Sequence, residues 1–224
     1  MPRYGLKVDQ FLGHFVSQAK DIGKVVSPFH RKMLYASAFD PLARAAYGTI
    51  GTHRDRFVRL IRDVAKWPES ERVSLPQLQL RLLEAKRHRY LLYRNISKRL
   101  ASWEDGGKVL LSGSPSMAEI LVQAAPSEHA LAKEAQYVNL FYTYRNNLIH
   151  EFREPGYGTD WSGKSVVPFY GSYIDGPWEL VFPVGFIAAL YEQALTGLRV
   201  HMLANNIDHT NNSTSARCGA RSDA

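Results

Sequence analysis

Arg145 and His150 are the residues whose types and spacing best suit chemistry on an anionic substrate. The run from Arg145 to His150 reads RNNLIH. An imidazole titrates near neutral pH and can give or take a proton, whereas a guanidinium forks onto paired anionic oxygens. Asn146 precedes His150 by about one helical turn, so its amide can hydrogen-bond the imidazole or a substrate oxygen. These three residues are the candidates for a catalytic site.

A narrow polar stripe runs along the helix that the sequence predicts from Ser127 to about Glu154. At about 100° per residue its polar side chains fall in one sector, and most other positions are apolar. A helix that is apolar over most of its circumference is typically buried, so the stripe requires an explanation. Its members are Asn139, Thr143, Asn146, His150 and Arg153.

Arg145 lies outside this stripe, among apolar positions of the same helix. An isolated buried charge is very costly, so its guanidinium must be paired or must reach an anion. One interpretation is structural: an ion pair with a glutamate of a neighbouring helix, Glu84 for example, beside a hydrogen-bonded polar seam. The other is functional: the long side chain bends toward His150 and binds a ligand. The residues alone leave both open.

The composition predicts a folded, soluble protein, and its basic charge is compatible with a polyanionic partner. The 224 residues are 45% hydrophobic and 22% charged, with a formal net charge of +7. A basic balance favours phosphate-rich partners, although it is also a common solubility charge. No stretch is long and apolar enough for a membrane span, and the N-terminus carries no apolar signal core. With Cys218 as the sole cysteine, we expect a cytoplasmic protein without disulfides or membrane association.

Hydrophobic periodicity predicts an all-α fold, a helical bundle with one β-hairpin inserted before the last helix. The hairpin is expected at about 165–183, where Pro168 suggests an edge strand. The polar tail 206–224 is expected to be disordered. Helices are predicted at 6–25, 42–47, 52–67, 77–103, 127–154 and from Pro183 to about 205.

Residues 158–165, GTDWSGKS, match the phosphate-binding loop pattern of nucleotide hydrolases. That loop works between a strand and a helix, whereas here a helix precedes it and the β-branched Val166 and Val167 with Pro168 follow. We therefore interpret the segment as a glycine-rich turn. The histidines show no metal-ligand spacing. We expect neither a metal nor a cofactor.

The string from Tyr144 to His150, YRNNLIH, resembles the signature of the HEPN superfamily, an arginine commonly followed by asparagine and, a few residues later, by histidine. Its position near the end of a long helix in an all-α bundle agrees. The resemblance covers roughly residues 77–205. It implies a HEPN-like helical domain at 76–205, preceded by an N-terminal helical appendage at 1–75.

The resemblance also implies a function. Many HEPN proteins are metal-independent endoribonucleases that act as homodimers with a composite active site, often as toxins or phage-defence effectors with an antitoxin. Arg145, His150 and Asn146 would be catalytic, and cleavage would leave cyclic-phosphate and 5′-hydroxyl ends. Phe152 stands where one toxin branch carries a modifiable tyrosine, so control at that position is not expected.

RNA is the expected partner, and basic residues are its expected contacts. We predict that Asn147, Arg153, Lys86, Arg87 and Arg89 bind the substrate. The alternative is a non-catalytic HEPN module that binds RNA or a partner protein. An enzyme predicts that Arg145 and His150 line a solvent-reachable cleft at a two-fold interface. A scaffold predicts that both are buried and internally paired. A second basic run, on the predicted helix 52–67, comprises Arg54, Arg56, Arg59 and Arg62.

Overall fold

The protein is mainly helical, with one small antiparallel sheet. The computed structural model describes residues 2–154, 165–173 and 176–207. A π-helical turn, Leu60–Val64, continues α3. The described helices are α1 (Pro2–Gly23), α2 (Pro28–Tyr47), α3 (His53–Arg59), α4 (Leu75–Glu84), α5 (Leu91–Leu100), α6 (Met117–Leu121), α7 (His129–Glu134), α8 (Tyr137–His150) and α9 (Val184–Asn205), and the strands are β1 (Lys108–Leu110), β2 (Phe169–Gly171) and β3 (Glu179–Val181).

Two hydrophobic clusters form the interior. The larger joins α1, α2, α3, α8 and α9, with Phe141 of α8 near its centre. The Phe141 ring lies 5.0 Å from that of Phe182 and 5.7 Å from that of Phe57, both between centroids. The smaller cluster joins α4 to α7 around residues such as Leu82 and Leu92. The larger cluster draws on both sides of the domain boundary expected near residue 75.

The helix predicted over 77–103 is wrong as a single element, because it is two helices joined by a tight turn. α4 ends at Glu84, and Lys86 takes a left-handed conformation with φ of 58°. The amide of Arg87 donates to the Leu82 carbonyl at 2.7 Å, which closes the end of α4. The turn lets the leucines of both helices pack in one core. This burial is a tertiary effect, which helix propensity does not include.

The predicted helix 127–154 is also interrupted. α7 ends at Glu134 and α8 begins at Tyr137, because the segment 70–74 crosses the chain at this point. The amides of Tyr137 and Val138 donate to the carbonyls of Arg72 and Ser70 at 3.0 and 2.9 Å. These tertiary hydrogen bonds satisfy the first donors of α8. α8 is consequently a separate helix whose start is fixed.

α2 is longer than the short helix predicted at 42–47. Ser27 caps its start, and Pro41 lies inside it. Proline removes one helical hydrogen bond, which is why the sequence favoured a break there. The continuous helix matters for the site below, because α2 lies alongside α8.

The predicted hairpin is confirmed by β2 and β3, which pair antiparallel with Tyr170 opposite Leu180. β1 is a third strand that the sequence did not indicate, and it pairs with β2 through Val109 and Tyr170. β2 is therefore central, so the prediction of an edge strand from Pro168 was wrong. Pro168 lies one residue before the strand and removes no donor from the ladder.

α9 is the predicted last helix, and Pro183 precedes it. Its Gly197 packs against the π-helical turn so closely that an added Cβ would lie 2.0 Å from the Val64 carbonyl oxygen. Within the described part of the chain, no helix is long and apolar enough to cross a membrane. Residues 158–164 of the glycine-rich turn and residues 208–224 of the tail lie outside the described residues.

Candidate functional site

Polar residues at the C-terminal end of α8 form a continuous face. At about 100° per residue, Asn146 lies between Arg145 and His150 around the helix, nearer to the histidine. Arg145 is on the side of α8 that faces α2, with which it makes an ion pair. His150 is the last residue of the helix and is exposed. The helix therefore presents a buried cation and an exposed imidazole with an amide between them.

The Arg145 guanidinium is buried and held by two oxygens. The residue is only 8% exposed. Its Nη2 donates to Oδ2 of Asp40 on α2, and its Nη1 donates to Oδ1 of Asn146 at 2.8 Å. The Nε atom is buried and finds no hydrogen-bond acceptor among the residues that the structure describes. Arg145 is thus paired, as its apolar surroundings require, but with Asp40 and not with Glu84.

Asp40 places this buried charge at the edge of the protein. Its side chain is 36% exposed, four times the fraction of the Arg145 side chain (9%). A charged pair at such an edge retains part of its solvation on the carboxylate side. An anion arriving from solvent would therefore meet Asp40 before it reached the guanidinium.

Asn146 connects the arginine to the histidine side of α8. Its Oδ1 accepts from Arg145, so the amide NH₂ group remains as its donor. The contact also shows that the guanidinium bends toward the sector of His150. Asn146 is half-buried, which leaves part of the side chain accessible.

The side chain of His150 is exposed to solvent. Among the residues that the structure describes, its side chain has no hydrogen-bond or ion-pair partner. The following amide, Glu151 N, donates to the Asn147 carbonyl at 3.0 Å and continues the helical turn past it. Arg145 therefore fits the structural interpretation, because it is buried and internally paired. His150 fits the functional interpretation, because it is accessible.

A second ion pair fixes the chain just beyond His150. Lys32 of α2 is 1% exposed, and its Nζ donates to Oε2 of Glu154 at 3.0 Å. Phe152, in a left-handed conformation with φ of 53°, lies near Phe29 with a centroid distance of 6.3 Å. The two helices run antiparallel, since Lys32 meets Glu154 and Asp40 meets Arg145. α2 therefore holds the end of α8 on both sides of the histidine.

Lys32 and Asp40 were missed by the sequence reasoning. They lie two turns apart on one helix, between alanines and aromatic residues, which is a weak signal of two buried polar positions. Pro41 suppressed that signal, because it suggested that no helix spanned the segment.

The other residues predicted to bind substrate are dispersed. Arg153 is exposed and pairs with Glu151 at 2.6 Å, and Asn147 is half-buried on α8. Lys86, Arg87 and Arg89 lie in the α4–α5 turn. Arg87 stacks on Tyr90 and donates to its hydroxyl at 2.6 Å. No hydrogen bond, ion pair or ring contact between described residues joins this turn to α8.

Each arginine of the segment 53–64 already contacts another residue of the protein. Arg54 donates to Asn139 Oδ1 at 3.1 Å, and Arg56 donates to the Gly51 carbonyl at 2.6 Å. Arg59 stacks over Tyr47, and Arg62 pairs with the neighbouring Asp63. These contacts leave the arginines fewer donors for a ligand. These contacts therefore weaken the case that this surface binds RNA.

No three histidine, cysteine, aspartate or glutamate side chains cluster as potential metal ligands within the described ranges. Comparison with known proteins adds no assignment. No family model matches the chain, and neither curated proteins nor solved structures show significant similarity to it.

Proposed function

We propose that the protein is a metal-independent endoribonuclease of HEPN type, with Arg145, Asn146 and His150 as its catalytic residues. The observation that supports this best is the pairing of the Arg145 guanidinium with Asn146, toward the sector of the exposed His150. A phosphate-binding cation and a proton-transfer group then lie on one helix end. RNA supplies both the phosphate and the adjacent 2′-hydroxyl that this chemistry requires.

The proposed reaction is an attack of the ribose 2′-oxygen on the neighbouring phosphorus. One imidazole removes the 2′-hydroxyl proton as the O–P bond forms, and a second imidazole protonates the 5′-oxygen as the P–O5′ bond breaks. In a two-fold homodimer, His150 of each copy would supply one imidazole. Arg145 would stabilise the added charge on the non-bridging oxygens. The products are a 2′,3′-cyclic phosphate and a 5′-hydroxyl end.

Asp40 has a defined part in this proposal. In the free protein its carboxylate accepts a hydrogen bond from the Arg145 guanidinium, the group that would bind the phosphate. Substrate binding would exchange one anion for another on Arg145, which keeps the buried cation paired throughout. Asp40 is thus a positioning residue, because it holds Arg145 in place before the phosphate arrives. A role as a toxin or phage-defence effector, with an antitoxin partner, remains part of the proposal.

The test is RNA cleavage in the presence of EDTA, comparing wild type with Arg145→Ala and His150→Ala. We expect cleavage to persist in EDTA and to fall by roughly 10²-fold or more in each variant. The controls are Arg199→Ala and His14→Ala, which remove an exposed arginine and an exposed histidine elsewhere. Equal activity of the site variants and the controls, or cleavage that EDTA abolishes, would contradict the proposal.

A non-catalytic RNA-binding or protein-binding module is the second candidate. The burial of Arg145 and its ion pair with Asp40 favour it, because a scaffold needs its arginine paired internally. It predicts that no RNA is cleaved by the wild type and that Arg145→Ala unfolds the protein. Circular dichroism of the two alanine variants separates loss of folding from loss of catalysis.

A further inference from the structure

A cavity of about 400 Å³ lies beside α8 on the side away from Arg145. α8 contributes Thr143 and Asn147, α4 contributes Gln77, and the chain around β3 contributes Trp178 and Phe182. The cavity is thus built by three parts of the chain that are distant in sequence. One of these parts is α8, the helix that carries the proposed catalytic residues.

His150 continues the stripe of α8 that lines this cavity. Thr143, Asn147 and His150 follow one another at intervals of four and three residues, which places them in one row along a helix. Around the helix, Asn146 lies about 40° from His150, on the side away from Asn147. A ligand that contacts Asn146 and His150 can therefore extend into the cavity past Asn147.

Two side-chain amides, those of Gln77 and Asn147, lie in the cavity wall. The side chains of Gln77 and Asn147 are half-buried, and neither forms a hydrogen bond with any residue that the structure describes. Each amide offers two donors and an acceptor, the pattern that reads the edges of nucleobases. Neither amide is among the buried side-chain groups without a partner, so both reach solvent and can hydrogen-bond an incoming ligand.

The remaining walls suit a flat, neutral ring. Trp178 is half-buried, and its indole packs edge to face on Trp103 with centroids 4.9 Å apart, which holds it in place. An ordered aromatic surface is a stacking platform for a base. Among the described residues, the lining includes the carboxylate of Glu179 and no lysine, arginine or histidine. This charge disfavours a phosphate in the cavity and favours an uncharged group.

We propose that this cavity is a nucleobase subsite, which binds one unpaired base of the RNA on the His150 side of the proposed cleavage site. The inference rests on the proposed ribonuclease function and deepens it. The base stacks on Trp178, and the amides of Asn147 and Gln77 read its edge. The substrate is accordingly single-stranded RNA, because a paired base could not enter the cavity. These residues determine specificity and are separate from those that transfer protons.

Cleavage specificity is the first test. Wild type, Asn147→Ala, Gln77→Ala and Trp178→Leu are compared on RNAs randomised at the nucleotides flanking the cut. We expect a base preference in wild type that the variants flatten, with kcat/KM on the preferred base reduced about 10- to 100-fold. Gln18→Ala, an exposed amide on α1, is the control and keeps the preference. Asn147→Asp supplies a near-isosteric variant should the alanine variant misfold.

A binding measurement keeps the two proposals apart. The probe is an RNA oligonucleotide carrying fluorescent 2-aminopurine and a 2′-deoxyribose at the cut, so that it binds without cleavage. Quenching by wild type but not by Trp178→Leu supports the subsite, even if wild type cleaves no RNA. Cleavage with an unchanged base preference and equal quenching in all variants overturns the subsite alone. The absence of both cleavage and quenching in wild type overturns both proposals.

Discussion

Asp40 neutralises the buried charge of Arg145. The pair is asymmetric, since the arginine is buried and the carboxylate is partly exposed. Removing the carboxylate leaves a buried cation with only Asn146 as a partner, and an uncompensated buried charge is strongly destabilising. In the proposed mechanism, the same ion pair therefore contributes to both stability and catalysis.

The variant Asp40→Asn is expected to lower the free energy of unfolding by about 2–3 kcal/mol, because the partial exposure of Asp40 reduces the cost of a fully buried pair. Asp9→Asn is the matched control. Asp9 pairs with Arg199 at 2.7 Å, and both side chains are about half exposed. Its loss should cost much less than the loss of Asp40, because an exposed ion pair is screened by solvent and stabilises little. Urea unfolding measures both, and equal effects would show that Asp40 does not stabilise a buried charge.

At the residue scale, the sequence predicted that Arg145 would need a partner but not which one. The apolar positions around it in α8 carry that prediction, because helical spacing is local information. Asp40 lies 105 residues earlier, and only the packing of α2 on α8 brings the two together. The accessibility of His150 is likewise a tertiary property, since it depends on what covers the end of α8.

At the element scale, the contact between α9 and the π-helical turn Leu60–Val64 depends on a missing side chain. The amide of Ala65 donates to the Leu60 carbonyl at 2.8 Å, a spacing of five residues that widens the helix there. Gly197 fits against this turn because it has no Cβ. The close approach ties α3 to α9 and so closes one side of the larger cluster.

Gly197→Ala is expected to destabilise the protein by more than about 3 kcal/mol, because its methyl group overlaps the Val64 carbonyl and the helices must separate. Gly13→Ala is the matched control, since an added Cβ in the middle of α1 meets nothing within 4 Å. That variant should stabilise the protein by up to about 1 kcal/mol through helix propensity. Thermal unfolding distinguishes the two, and a shift of equal sign would refute the packing argument.

Element types were more predictable than element ends. Apolar spacing indicated the last helix, and the turn residues around 174–177 indicated the hairpin. The breaks at Lys86 and between α7 and α8 were not predictable, because they arise from tertiary hydrogen bonds and from a non-glycine residue at positive φ. β1 was missed because three residues give too little alternation to detect.

At the scale of the whole molecule, buried phenols set the alkaline limit of stability. Burial raises the pKa of Tyr137 to about 12, an effect that its hydrogen bond with Ser114 partly offsets. Burial likewise raises the pKa of Tyr170, which contacts Ser74. A tyrosine of the unfolded chain ionises near pH 10. The folded state therefore binds these protons more tightly than the unfolded state.

The contribution of Tyr137 to stability is accordingly expected to be constant up to about pH 10 and to fall as the pH rises toward about 12, where Tyr137 also ionises in the folded state. The loss attributable to Tyr137 is about 2–3 kcal/mol at its limit. Urea unfolding at a series of alkaline pH values measures it. Tyr137→Phe should be less stable at neutral pH, because Ser114 loses its partner, yet less sensitive to alkali. An unchanged alkaline dependence in that variant would contradict the assignment.

Assembly can be tested by mixing chains. If two copies of His150 share one active site, adding an excess of inactive His150→Ala chains should draw wild-type chains into mixed dimers. The cleavage rate per wild-type chain then falls several-fold. Gel filtration of the mixture verifies that dimers form. A rate that does not depend on the added variant would mean that each copy acts alone.

The packing of α1 and α2 on α9 has a consequence for the synthesis of the chain. α2 shares its most extensive described contacts with α9, and α1 also packs on it. Translation proceeds from the N-terminus, so the apolar faces of the first two helices leave the ribosome long before their partner exists. Those faces therefore stay without their partner until residues 184–205 emerge. A chain terminated before Val184 should therefore be degraded by quality control instead of persisting as a partly active fragment.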